Sequence, residues 1–268
     1  MSGIDLRIAK LFRGKKNLVI SAVDHVLEYG DQAGIEDSRK AIENCLDTDA
    51  LLLSRFSLKR NWDLFAKPLA PLPAIRINWS SAFYYPLEYR QGFTEIATSV
   101  EDAVQAGAEM VICSLFLENG NEKMETKNIS LFSEVVRQKE KLGIPLLGEC
   151  YVVEHKEITP ENLHLKVKRV SRIMSELGAD LIKAFYTNNF SDVVNNNPIP
   201  VFSIGAEKLH SDIEVLIKAS DTIKSGARGI IFGRNIFMAK SPSKIVAALN
   251  EVINNNMSPG DAAKQYGL

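Results

Sequence analysis

Eight short apolar runs, most of them followed by a stretch of helical character, constrain this chain more than any other feature. They are "NLVISAVDH" (17–25), "DALLLSRF" (49–56), "PAIRINW" (73–79), "EMVICSLF" (109–116), "IPLLGECY" (144–151), "GADLIKAFY" (178–186), "IPVFSIG" (199–205) and "RGIIFG" (228–233). Near-continuous Val, Ile and Leu of strand length belong to parallel strands covered by helices. Eight such units in 268 residues, with no linker or composition shift, predict one α/β domain over 1–268. The expected fold is a closed (β/α)8 TIM barrel with short terminal extensions. "SPSK" (241–244) and "SPGD" (258–261) predict two late helices with Ser241 and Ser258 as N-caps and proline at the first helical position. The last helix either closes a barrel end or meets another subunit. Residues 78–97 read as a long loop after the third strand, on the face where barrel enzymes keep their active sites.

Charge narrows the function. With 32 basic and 33 acidic side chains the net charge is -1, so the chain has no general attraction to nucleic acid or to an anionic membrane. Any anion site must be local. No run approaches the roughly 18 apolar residues of a membrane span, and "MSGIDLRIAKLFRGKK" lacks the apolar core of a signal peptide. Cys45, Cys113 and Cys150 are odd in number and form no CxxC pair, as expected of free buried thiols in a reducing cytoplasm. The four histidines are too scattered to suggest a metal site.

The sixth run holds one lysine, Lys183, among apolar neighbours. Lysine is rarely buried without a partner, and desolvation disfavours its charged form. In a barrel strand Leu181, Lys183 and Phe185 share one face, with Lys183 toward the carboxyl end. Asp24 ends the first run, and Glu149 and Tyr151 share a face of the fifth. An amine, a phenol and carboxylates meeting at strand ends suit carbonyl chemistry through an iminium. The amine must then shift down from about 10.4; nearby positive charge helps and a close carboxylate opposes. The alternative is a structural ion pair of Lys183 with Asp24 or Glu149. For Glu149 the structural reading leads.

A second constellation lies at the last two runs. Ser203, Gly205 and Ala206 end one, and Gly233 and Arg234 end the other. Small residues let backbone N–H groups approach an anion, and the loops after barrel strands seven and eight commonly bind phosphate. Arg234 adds a forked charged contact. The alternative is that the glycines are simply turns. Arg55 and Arg76 either meet a second substrate anion or form rim salt bridges. Trp79 is a candidate pocket wall. His25 is either a proton carrier or a satisfied core histidine.

"RIAKLF" near the start, "DH" (24–25), "PLL…Y" (145–151), "GADLIKAFYTNNF" and "GRNIF" resemble the archaeal-type class I fructose-bisphosphate aldolase family. That family includes 2-amino-3,7-dideoxy-D-threo-hept-6-ulosonate synthase and the autoinducer-2 phosphate thiolase. The resemblance implies a Schiff-base lysine at Lys183, a hydroxyl-handling aspartate at Asp24 and an acid/base tyrosine at Tyr151. It also implies phosphate contacts at Gly205, Gly233 and Arg234. No cofactor is implied, since the iminium replaces a metal Lewis acid. The implied assembly is a homo-oligomer built from rings of five. Departures are "DHV" for "DHG", "YVVE" for "YPRG", Gly205-Ala206 for a double glycine, "TNN" for "TGD", Glu149 for a bulky neutral residue, and "SLFLENGNE" on the fourth strand. They cluster around the non-reacting half of the substrate and point away from fructose 1,6-bisphosphate itself. The expected activity is a class I aldolase or transaldolase on a phosphorylated keto sugar. The alternatives are thiolase-like acyl transfer to coenzyme A on a phosphorylated diketone, and a non-catalytic barrel that binds sugar phosphates.

Overall fold

A computed structural model describes residues 2–30, 32–89, 91–152 and 158–268. The eight apolar runs form strands β1 (Leu18–Ala22), β2 (Ala50–Leu53), β3 (Leu72–Arg76), β4 (Met110–Phe116), β5 (Leu146–Tyr151), β6 (Leu181–Ala184), β7 (Val201–Ile204) and β8 (Gly229–Phe232). All pair in parallel with their sequence neighbours, and β1 pairs with β8 to close the barrel. Alternation divides the apolar residues in two. Leu18, Ile20, Ala50, Leu52, Ile112, Leu147, Leu181, Phe202 and Ile231 fill the barrel interior, while Val19, Leu51, Leu53, Val111 and Ile230 pack outward under the helices. Each fully buried side chain of this size contributes about 1.5–3 kcal/mol over exposure.

The helices start and stop where local chemistry dictates. Helix Glu122–Leu142 is capped by Asn121 and ends at Gly143, and helix Pro160–Leu177 is capped by Thr159 and ends at Gly178. Gly178 adopts φ 109°, a conformation that side chains resist, and this turns the chain straight into β6. Of the two expected serine caps, Ser258 accepts a hydrogen bond from the Asp261 N–H, but the Ser241 side chain makes no cap bond. Its backbone leaves the extended region that a capping side chain needs (φ -137°, ψ 82°).

Two features leave the carboxyl end of the barrel as the working face. The N-terminal helix, Gly3–Phe12, begins with a capping box at Ser2 and Asp5. It sends Leu11 and Phe12 into the interior cluster, with the Phe12 ring 6.4 Å from that of Phe202. The last helix, Pro259–Tyr266, closes neither end; it packs outside, against helices Asp212–Lys224 and Pro242–Asn254. The 78–97 segment is not a simple loop. Asn78–Ser80 pairs antiparallel with Thr94–Ile96, and a 3-10 turn, Ser81–Leu87, crosses over the barrel mouth. Asn78 fixes this excursion to β4, donating to the Ser114 carbonyl at 2.8 Å and accepting from its N–H at 3.0 Å.

Candidate active site

A pocket of about 130 Å³ opens at the carboxyl end of the barrel. Lys183 and Glu149 form part of its wall, with Glu28, Tyr151, Gly233 and Arg234 around it. The register Glu149↔Lys183 between β5 and β6 places the two side chains side by side on the inner face. Lys183 Nζ forms an ion pair with Glu149 Oε1. The close carboxylate weighed against the amine's reactivity is therefore Glu149.

At the centre lies Arg76, the last residue of β3, with no exposed surface. Its Nε donates to Asp24 Oδ2 at 2.7 Å and its Nη1 to Ser114 Oγ at 2.6 Å. Nη1 also lies 2.8 Å from Glu149 Oε2, and Nη2 lies 2.8 Å from Glu28 Oε1. The Phe83 ring stacks 5.3 Å from the guanidinium carbon. Ser114 Oγ donates in turn to Glu149 Oε2. The expectation that Arg76 meets a substrate anion is therefore corrected, because its charge is already committed to buried carboxyl groups. Arg55 is on the rim instead, pairing with Asp102 at 2.9 Å.

Electrostatics separates these carboxyl groups. Burial pushes Glu149 and Asp24 upward, but Arg76 and Lys183 outweigh it and hold both below the usual carboxylate range. Glu28 goes the other way. Burial, with Asp24 and Glu149 adding to it, overcomes Arg76 and pushes Glu28 up to about 8. Asp24 is only 1% exposed and is not part of the pocket wall. The carboxyl group that its segment presents to the pocket is that of Glu28, four residues later. Desolvation, helped by Lys183, Arg234 and Arg76, lowers His25 to about 4 against the pull of Asp24, so the imidazole is neutral near pH 7.

Aromatic packing sets the remaining wall. Tyr151 stacks with Phe116 at 4.9 Å, Phe83 at 5.4 Å and Phe185 at 5.9 Å. Trp79 is not the wall expected of it; it packs on Tyr84, and Ala82 from the same excursion lines the pocket. In the "YVVE" segment, Val152 is buried, whereas Val153 and Glu154 lie outside the described residues.

The ends of β7, which pairs directly with β6, and of β8 line the same pocket as Lys183. A Cβ at Gly233 would lie 2.6 Å from His25 Cε1 and 2.8 Å from the Ala22 carbonyl, so this close approach requires glycine. Ala206 adopts φ 55°, and its carbonyl accepts from Arg234 Nη2 at 2.9 Å. Ser203 is corrected: Phe202 points into the barrel and Ile204 to the pocket, which turns Ser203 toward the helices. Two residues not singled out from the sequence brace this loop. Lys218 Nζ donates to the Gly205 carbonyl at 3.0 Å, and Asn235 Nδ2 donates to that of Glu207 at 3.0 Å. Glu28 and Ser114 were missed as well. Glu28 had a signal, since i+4 spacing on a short helix puts it on the same side as Asp24. Among the described residues, no three His, Cys, Asp or Glu side chains converge to hold a metal ion.

Comparison with known proteins agrees with this architecture. The sequence pattern of the DeoC/LacD family aldolases matches residues 18–239, from the first barrel strand to just past the last. The chain is 31% identical over 271 residues to an uncharacterised aldolase of Saccharolobus solfataricus, covering 98% of this chain and 99% of that protein. It is 30% identical over 268 residues to 2-amino-3,7-dideoxy-D-threo-hept-6-ulosonate synthase 1 of Archaeoglobus fulgidus, covering 100% and 97% of the two chains. The crystal structure of an archaeal fructose 1,6-bisphosphate aldolase shares the fold, with a TM-score of 0.75 at 23% identity over 94% of this chain and 99% of that one. With eight matching strands and a family pattern running through all of them, this chain belongs to the DeoC/LacD family of aldolases.

Proposed function

We propose that this class I aldolase works through Lys183 and that its substrate is a phosphorylated keto sugar. The observation that carries the reading is the placement of Lys183. Its amine stands in the pocket against an ionised carboxylate, and the glycine-bearing ends of β7 and β8 line the same pocket. The neutral amine attacks the ketone carbon, and loss of water leaves an iminium that accepts the electron pair when the adjacent carbon–carbon bond breaks. Glu149 is a stabiliser in this scheme. Arg76 and Ser114 hold its carboxylate in place, so its charge is already positioned where the cationic iminium nitrogen develops. Tyr151, fixed by its three phenylalanine neighbours, exchanges the proton of the carbon–carbon step. Asp24 acts at one remove by orienting Arg76.

Gly205-Ala206 and Gly233-Arg234 take the phosphate. Bound there, the phosphate holds the carbonyl against Lys183, and this remote binding energy is used for orientation. Three free buried thiols support a reducing, cytoplasmic setting for the reaction.

Borohydride trapping tests the reading, using dihydroxyacetone phosphate, fructose 1-phosphate and fructose 1,6-bisphosphate in parallel with intact mass and peptide mapping. A reduced adduct on Lys183, absent from Lys183→Ala, is the expected result. An adduct on another residue, or turnover surviving in Lys183→Ala, refutes the mechanism. Turnover strictly dependent on coenzyme A replaces the aldol reaction with acyl transfer.

A further inference from the structure

The scheme above leaves one pocket carboxyl group without a task. Glu28 sits on the short helix His25–Tyr29, directly after β1, is 5% exposed and lines the pocket together with Lys183 and Glu149. Three carboxyl groups share the single Arg76 guanidinium, with Asp24 on Nε, Glu149 on Nη1 and Glu28 on Nη2. Two cations, Arg76 and Lys183, balance two of them. Among the described residues no further cation pairs with these carboxyl groups, and Glu28 is the one whose proton affinity burial raises. Its Oε1 lies 2.8 Å from Arg76 Nη2, so a proton kept by this carboxyl group sits on Oε2. Among the described residues, four charged groups act on Glu28, and His25 and Arg234 line the same pocket. Arg76 comes from β3, Asp24 from the start of its own helix, Glu149 from β5 and Lys183 from β6. The turn over the mouth adds Ala82 to the wall, and the neighbouring Phe83 carries no charge.

Carboxyl groups pushed apart in proton affinity within one site divide the labour between acid and stabiliser. Glu149 and Asp24 are ionised and have no proton to give, and His25 is already neutral. We propose that Glu28 is the catalytic acid of the iminium step, donating its proton to the hydroxyl of the carbinolamine formed on Lys183. This rests on Lys183 being the iminium-forming amine. As the carbon–oxygen bond breaks, the lysine nitrogen lone pair becomes the second carbon–nitrogen bond, and the oxygen leaves as water with the Glu28 proton. One positive charge appears on the iminium and one negative charge on Glu28, so the net charge of the site is unchanged. Iminium hydrolysis runs the same transfer backwards and restores the acid. A substrate oxygen next to Glu28 thus meets a donor where Asp24 would have offered an acceptor.

The test measures the rate of iminium formation by rapid-quench borohydride trapping with dihydroxyacetone phosphate, as a function of pH, for the wild type, Glu28→Gln and Glu28→Asp. The wild-type rate should fall with a single ionisation near the raised value of about 8. Glu28→Gln keeps the shape and the contact to Arg76 but has no proton to give. It should slow iminium formation by about 10²-fold or more and abolish that ionisation, while Glu28→Asp partly restores both. Rates within threefold of the wild type in Glu28→Gln, or an unchanged alkaline limb, would overturn the proposal. Because the amide preserves a purely structural contact, a structural role predicts that unchanged result. Should Glu28→Gln fail to fold, infrared difference spectroscopy of the wild type at neutral and alkaline pH decides: a protonated-carboxyl band lost on raising the pH supports the proposal, and no such band refutes it. If the wild type itself traps nothing on Lys183, the lysine reading fails first and takes this step with it.

Discussion

Replacing Arg76 by methionine tests whether one buried guanidinium organises the site. The side chain is fully buried and touches Asp24 at 2.7 Å, Glu149 at 2.8 Å, Glu28 at 2.8 Å and Ser114 at 2.6 Å. The cost is not the sum over these partners. Glu149 keeps Lys183, and Glu28 is already neutral near pH 7, so the charge left uncompensated is that of Asp24. Breaking one buried pair costs about 3–5 kcal/mol, and methionine fills enough of the space to keep any cavity cost small. For a chain of this length that is a fall in Tm of roughly 10 °C. The pH dependence gives a second signature. Asp24 and Glu149 are lowered in the folded protein, so their stabilisation is fully present above the unfolded value of about 4 and is lost as pH falls from there through the lower folded values. The variant lacks most of that gain. Urea unfolding should therefore show a wild-type advantage that is widest near pH 7 and clearly smaller at about pH 3. A loss under about 1 kcal/mol at pH 7, or the same loss at both pH values, would refute the electrostatic account.

Two further predictions separate close approach from capping. Gly233→Ala forces a methyl group against His25 and the Ala22 carbonyl, so KM for the phosphorylated ketone that traps Lys183 should rise roughly tenfold or more. Steady-state kinetics decides, and an unchanged KM would remove Gly233 from the substrate site. Ser258→Ala should cost about 1 kcal/mol by losing the cap to the Asp261 N–H, whereas Ser241→Ala should be near neutral, since that hydroxyl makes no cap bond. Equal Tm shifts for the two variants would show that the cap geometry is wrong.

Much of this molecule is local in origin, and that part was legible in the residues alone. Strand-length apolar runs can bury both faces only in a covered parallel sheet, and eight of them close a barrel. Strand parity then put Lys183, Glu149 and Tyr151 on the inner face, since side chains alternate whatever the rest of the chain does. The same rule, applied without knowing where β7 starts, left Ser203 among the phosphate candidates, although its side chain points to the helices. What sequence order does not carry is the meeting of residues from different strand ends. Arg76 read equally well as a rim ion or a substrate contact, because nothing near it in the chain shows that Asp24, Glu28 and Glu149 converge on its guanidinium. Glu28 drew no notice for the same reason. Its raised proton affinity comes from burial beside Asp24, at the start of its own helix, and Glu149, brought in from β5 by barrel closure. The sequence by itself determined the barrel and the lysine's place in it. Only the closed tertiary structure decided which acidic groups are charged, because proton affinity depends on the dielectric surroundings and the neighbouring charges that barrel closure creates.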